Sequence, residues 1–232
     1  MKTTKLICGF SILLLSALPT HAQSFQNLKF EQANPFYIGN QDYPVVTISS
    51  AVPDWTVYST VDSYGDYSQQ TTCFYGTISL GGTGLTLIGP ATPSNEATAI
   101  DGHYSVFLQT YAPNNWVSIS QTGLIPSGTQ SLIFEATGGE VPFLSVQIGT
   151  QTVPFSAIGS GANYTLFAAN ISAWAGDVEP LTFTAYSSGY PDSWELDDIS
   201  FSPTAVPEPR TLALSGLGAM IFGARKWLAR RD

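Results

Sequence analysis

Apolar and polar side chains alternate with a period of two through most of the stretch from Trp55 to Phe201. Strands that bury one face and wet the other produce this pattern. It predicts strands at residues 55–61, 71–80, 104–109, 116–121, 131–135, 143–148, 164–167, 181–186 and 194–201, all rich in Val, Ile, Thr and aromatics. Gly81-Gly82, Gly89-Pro90, Pro113-Asn114-Asn115, Pro126-Ser127-Gly128, Gly138-Gly139 and Gly159-Ser160-Gly161 separate them as turns. Only residues 171–175 read as a brief helical turn, and no internal repeat is present. Nine or more short strands at short intervals predict an all-β sandwich occupying residues 23–202 as a single domain.

The ends follow a different pattern. Lys2 and Lys5 precede an apolar run over residues 6–18, and Ala22 supplies a small residue for cleavage before Gln23. This is the layout of a secretory signal peptide, residues 1–22, read by the Sec translocon and signal peptidase. At the other end Pro207-Glu208-Pro209 is followed by the uncharged stretch 211–224 and then by Arg225, Lys226, Arg230 and Arg231. As a helix that stretch covers only ~21 Å at ~1.5 Å per residue, against a hydrocarbon core of ~30 Å. Trp227, Leu228 and Ala229 extend it to a transmembrane helix over 211–229, and the basic cluster halts transfer and keeps the tail cytoplasmic.

Residues 203–232, with their Pro-Glu-Pro motif, short apolar helix and basic end, resemble the PEP-CTERM sorting signal of exopolysaccharide-producing Gram-negative bacteria. The resemblance implies an exosortase that recognises Pro207, Glu208 and Pro209, removes the tail, and passes the protein from a transient membrane anchor to the cell surface or extracellular matrix. Two prolines fixing φ around Glu208 keep the strip extended, a conformation a protease accepts without unfolding anything.

Charge narrows what the body can do. Residues 23–203 hold fifteen Asp and Glu against the single base Lys29, a balance that repels nucleic acid and suits a hydrated polysaccharide or cation binding. Cys73 is the one cysteine left after signal removal, which excludes an intrachain disulfide and a Cys₄ zinc site. His103 is the one histidine left, in a turn before a strand. No nucleophile elbow, His-Glu-x-x-His or phosphate loop occurs, so a non-catalytic protein is expected rather than a secreted hydrolase.

Phe30-Glu31 near the start and Leu196-Asp197-Asp198 near the end resemble the opening and closing strands of the galactose-binding-like jelly roll shared by several carbohydrate-binding modules. The resemblance implies adjacent termini and a structural Ca²⁺ held by Glu31 and Asp197 together with backbone carbonyls. Strict alternation puts Asp197 in phase with Ile199 and Phe201, on an apolar face where a cation would relieve its charge. Sugar binding needs aromatic faces beside amides, and Trp55, Tyr111, Asn114, Asn115 and Trp116 are the candidates. The expected function is an exported surface or matrix protein that binds, or is embedded in, exopolysaccharide; the alternative is a purely structural biofilm or floc component without a discrete ligand.

Overall fold

The computed structural model describes residues 23–38, 44–60, 66–78, 82–90, 98–139, 143–187, 189 and 192–206. The expected signal peptide, the Pro207-Glu208-Pro209 motif, the apolar stretch and the basic cluster lie outside them. Among the described residues no helix is long and apolar enough to cross a membrane.

Each alternating segment contains a strand, although the one expected at 71–80 stops at Tyr75, where Gly76 turns the chain at a φ of 72°. The strands are β1 (Val45–Thr47), β2 (Thr56–Thr60), β3 (Tyr67–Gln69), β4 (Thr72–Tyr75), β5 (Gly84–Ile88), β6 (Ser105–Thr110) and β7 (Trp116–Leu124). There follow β8 (Ser131–Gly138), β9 (Leu144–Ile148), β10 (Gln151–Thr152), β11 (Phe155–Ser160), β12 (Thr165–Asn170), β13 (Val178–Tyr186) and β14 (Asp192–Ser202). A single helical turn, α1 (Ile48–Ala51), follows β1, and a 3₁₀ turn at Ser172–Trp174 sits where the sequence predicts helix.

Two sheets form, and they make the β-sandwich that the alternation predicts, in keeping with the jelly roll that the resemblance implies. The eight-stranded sheet has the order β1-β4-β5-β6-β14-β8-β12-β11, and the six-stranded sheet β10-β9-β13-β7-β2-β3. Every neighbouring pair is antiparallel except β4 and β5. Inward residues such as Val57, Leu108, Val117, Ile119, Phe134, Val146, Phe183 and Leu196 are fully buried between the sheets. Phe134 stands at the centre, with its ring 5.2 Å from Phe183 across the sandwich and 5.5 Å from Phe167 beside it. The Cys73 thiol is buried and pushed up to about 12 by that burial, so it stays an inert apolar filler.

The segment before β1 seals one end. Leu124 donates its N–H to the Gln23 carbonyl at 2.8 Å, and Ile199 donates to the Leu28 carbonyl at 3.0 Å. The Phe25 ring lies 5.0 Å from that of Phe201. Gly123 permits this closeness, since a Cβ there would stand 2.8 Å from the Phe25 nitrogen. The two ends of the body are therefore adjacent, as the jelly-roll resemblance implies.

Two expectations need correction. Gly159-Ser160-Gly161 is not simply a turn: β11 runs through Gly159 and Ser160 as an edge strand. Asp197 is also out of phase with Ile199, because the register of β14 against β8 shifts between Asp197 and Ser200. Asp198 takes a left-handed φ of 43° in this bulge, which inserts a residue and inverts the alternation. Leu196 and Ile199 both face the core, while Asp197 points away from it, opposite Glu135.

Candidate functional site

Carboxylates collect where the segment before β1 meets β14. Asp197 is 1% exposed although it faces away from the core, because the loop before β6 lies over it. Its Oδ2 accepts the Asp101 N–H at 3.1 Å and its Oδ1 the Asp198 N–H at 2.7 Å. Burial pushes this carboxyl up to about 7; the two N–H groups pull the other way, and the charges of Asp198 and Asp101 add to the rise. Glu31 holds the same loop two residues on, with Oε1 accepting the N–H groups of His103 at 2.7 Å and Tyr104 at 2.9 Å. Its Oε2 lies 3.2 Å from His103 Nδ1. Desolvation raises the Glu31 pKa, but those donors outweigh it and hold the carboxyl below its ordinary value. Lys29 pairs with Asp198.

Two more acids are buried on the outer side of the same sheet. Glu135, the cross-strand partner of Asp197, is pushed up by burial against the hydroxyl of Tyr164. Glu195 is likewise pushed up, with the Ser105 hydroxyl donating to it. Each oxygen of Asp197 takes one N–H and retains a lone pair, so the residue is able to accept a hard cation. Among the described residues, however, no group of three or more His, Cys, Asp or Glu is arranged to hold a metal. A calcium ion between Glu31 and Asp197 would have to draw the rest of its shell from carbonyls.

The other concentration of chemistry is the outer face of the six-stranded sheet. With Val57, Val117, Ile119, Phe183 and Ala185 committed to the core, the alternate positions turn outward. Register aligns Gln147, Thr182, Ser120 and Thr56 in one row, and Ser145, Thr184, Ser118, Tyr58 and Gln69 in the next. A polar groove of about 420 Å³ opens here, lined by Gln23, Ser24, Asp54, Thr56, Tyr58, Ser120, Gln121 and Thr122. Gln121 fixes its wall by accepting the Gln26 N–H at 2.6 Å and donating to the Gln26 and Asp54 carbonyls, each at 3.0 Å. Aromatic rings continue from the groove. Tyr58 lies 6.5 Å from Tyr67, which is 63% exposed, and Tyr67 lies 5.4 Å from Trp116.

The aromatic and amide candidates named from the sequence disperse. Trp116 joins this outer strip. Tyr111 and Asn114 are exposed on the loop between β6 and β7, with Asn114 at a left-handed φ of 64°. Asn115 is buried and donates Nδ2 to Thr83 Oγ1 at 2.8 Å, which makes it a loop clamp. Trp55 is a correction: only 4% exposed, it packs 5.7 Å from the Phe30 ring and donates Nε1 to the Asn27 carbonyl at 3.1 Å, so it offers no face to a ligand. Tyr58 and Tyr67 were missed, although the alternation Thr56-Val57-Tyr58 already turned Tyr58 outward with Thr56.

No protein-family model matches the sequence, and no curated protein matches it. Solved structures similar to the chain include TmCBM61 in complex with β-1,4-galactotriose, at 12% identity and TM-score 0.41, covering 78% of this chain and 97% of that one. The K2 cleaved adhesin domain of Lys-gingipain is similar at 15% identity and TM-score 0.40, over 68% of this chain and 98% of that one. An arabinoxylan arabinofuranohydrolase of glycoside hydrolase family 43 from Bacillus subtilis, in complex with cellotetraose, gives 14% identity and TM-score 0.31, over 61% and 30%. At this distance the ligand must be argued from the residues of this chain.

Proposed function

We propose that this chain is an exported, non-catalytic polysaccharide-binding protein that an exosortase sorts through Pro207-Glu208-Pro209 to the cell surface or extracellular matrix. One observation carries the binding half of the reading: the strip Tyr58, Tyr67 and Trp116 running on from a hydroxyl- and amide-lined groove on one sheet face. Aromatic faces stack on the C–H faces of sugar rings while hydroxyls and amides answer the sugar hydroxyls. Asp54 is the single charged side chain lining the groove, and with the acidic body around it this favours a neutral polymer over a polyanion. The non-catalytic reading is supported by the place of Asp197, Glu135 and Glu195, which are buried and do not line the groove.

Tyr67→Ala and Trp116→Ala are each expected to weaken binding to the host exopolysaccharide about 10- to 100-fold, corresponding to ~1–3 kcal/mol per stacking ring. Affinity electrophoresis in gels containing the polymer measures it. Unchanged mobility for both variants, or no binding by the wild type to any glycan tested, removes the reading. The sorting half is checked by mass spectrometry of the mature C-terminus from the native host, where a chain still ending at Asp232 counts against it.

A structural Ca²⁺ with Glu31 and Asp197 as its carboxylate ligands is a separate part of the proposal. Such an ion would hold the 101–104 loop and offset the cost of burying Asp197. Chelation by EGTA is then expected to lower the melting temperature, with recovery on adding calcium. An unaltered melting temperature excludes the ion.

A further inference from the structure

A sheet edge exposes unpaired backbone N–H and C=O groups, and native proteins shorten, cover, bulge or charge such edges. Among the described residues three of the four edges here are treated in that way. β1 is three residues long and is covered by residues 37–38, with Ile38 donating to the Val45 carbonyl and Tyr37 bridging Val46. β3 has three residues and β10 has two.

The fourth edge, β11, is different. It has six residues, Phe155–Ser160, paired on one side only, and Ser156 through Ser160 are all exposed. It contains no lysine, acid or proline. Its one protective device is the bulge between Ala157 and Gly159, and this presents the apolar Ile158 at 37% exposure rather than a charge.

Charge says what can lie against it. The body is strongly acidic, yet residues 141–176 contain no Asp, Glu, Lys or Arg at all. Two copies meeting through the faces that carry the acids would oppose like charges. A two-fold contact through β11 places uncharged backbone against uncharged backbone, with Ile158 covered by its own counterpart. A basic partner would be drawn instead to the acids elsewhere. We propose that β11 is a self-association surface, on which a second copy of this chain pairs antiparallel and joins two eight-stranded sheets into one. A contact of one strand per copy falls below the ~1,200 Å² of stable complexes, so the association is weak and becomes substantial where the protein is crowded on a surface. The inference stands independently of the polysaccharide reading.

Disulfide trapping on the full chain in nonionic detergent tests it. Ile158→Cys should give a covalent dimer under mild oxidation, since residues paired across a two-fold approach within the ~4.4–6.8 Å Cα separation that a disulfide spans. Val178→Cys, at a 50% exposed position away from this edge, and the unmutated chain serve as controls. Ile158→Lys should weaken the dimer seen in sedimentation by at least about 10-fold in dissociation constant, with the melting temperature unchanged. Trapping at residue 158 no faster than at 178, or a dimer that persists undiminished in the Ile158→Lys variant, overturns the proposal. If Ile158→Lys also lowers the melting temperature, the cysteine comparison decides. Absence of a trapped dimer because another segment of the same chain covers β11 overturns it equally.

Discussion

Trp55→Ala is expected to destabilise the fold by about 3–5 kcal/mol, among the larger effects of a single truncation in this chain. The ring fills the junction of the N-terminal segment with β2 against Phe30, and its indole N–H holds the Asn27 carbonyl. Alanine leaves a cavity at that junction and weakens the hold on the segment that carries Lys29 and Glu31. Trp55→Phe keeps most of the packing and loses the hydrogen bond, at a cost nearer ~1 kcal/mol. Chemical denaturation measures both. A Trp55→Ala protein that melts like the wild type but binds less polysaccharide would show that Trp55 is a ligand contact after all.

The second large effect is a stability that falls as pH rises across the neutral range. Asp197 has its folded pKa raised from 3.8 to about 7, so between those values the folded state holds a proton that the unfolded state has released. Stability then declines with pH through that window and levels off above it, with a ceiling on the order of 4 kcal/mol from this group in the absence of a bound cation. Glu135 and Glu195, also raised, act in the same sense. Glu31 acts oppositely: its lowered pKa contributes stability above its unfolded value that is lost as pH falls through the folded one, which places the loss at the acid end. Asp197→Asn should flatten the decline between pH 5 and 8, since the amide carries no charge at any pH. Asparagine has one carbonyl oxygen for the N–H groups of Asp101 and Asp198, so the variant should be the less stable protein near pH 5 and draw level toward pH 8. Melting temperatures across this range check it, and a wild-type curve that climbs from pH 5 to 8 contradicts the assignment.

The sequence shows the sandwich wherever one face is buried and the other wet. β7 reads correctly because Val117 and Ile119 alternate with Trp116, Ser118 and Ser120, and its partner β13 does the same with Thr182 and Thr184. β11 escapes the pattern: an edge strand with little to bury uses Ser, Ala and Gly, which also suit a turn. The phase of Asp197 was lost for another reason. A bulge is a register event between two strands, visible only once β8 lies beside β14, and a single residue at positive φ reversed the faces of everything before it. Trp55 was legible, being two residues before the core residue Val57 and so in phase with it, although its place beside a turn suggests a free aromatic. The hydroxyl rows were legible residue by residue, but their alignment into one surface depends on pairings between strands far apart in the chain, as from Thr56 through Ser120 to Thr182.

The last strand does not lie on the rim. β8 pairs with β14 from Trp194 to Ser202 and β6 pairs with it from Asp192 to Leu196, while the Phe201 ring near its end packs against Phe25. Any pull on the chain beyond Val206 therefore loads an interior strand along its own axis, in shear. The ladder to β8 takes that load first and the ladder to β6 adds to it from Leu196 inward, so the bonds resist side by side rather than peeling away one link at a time.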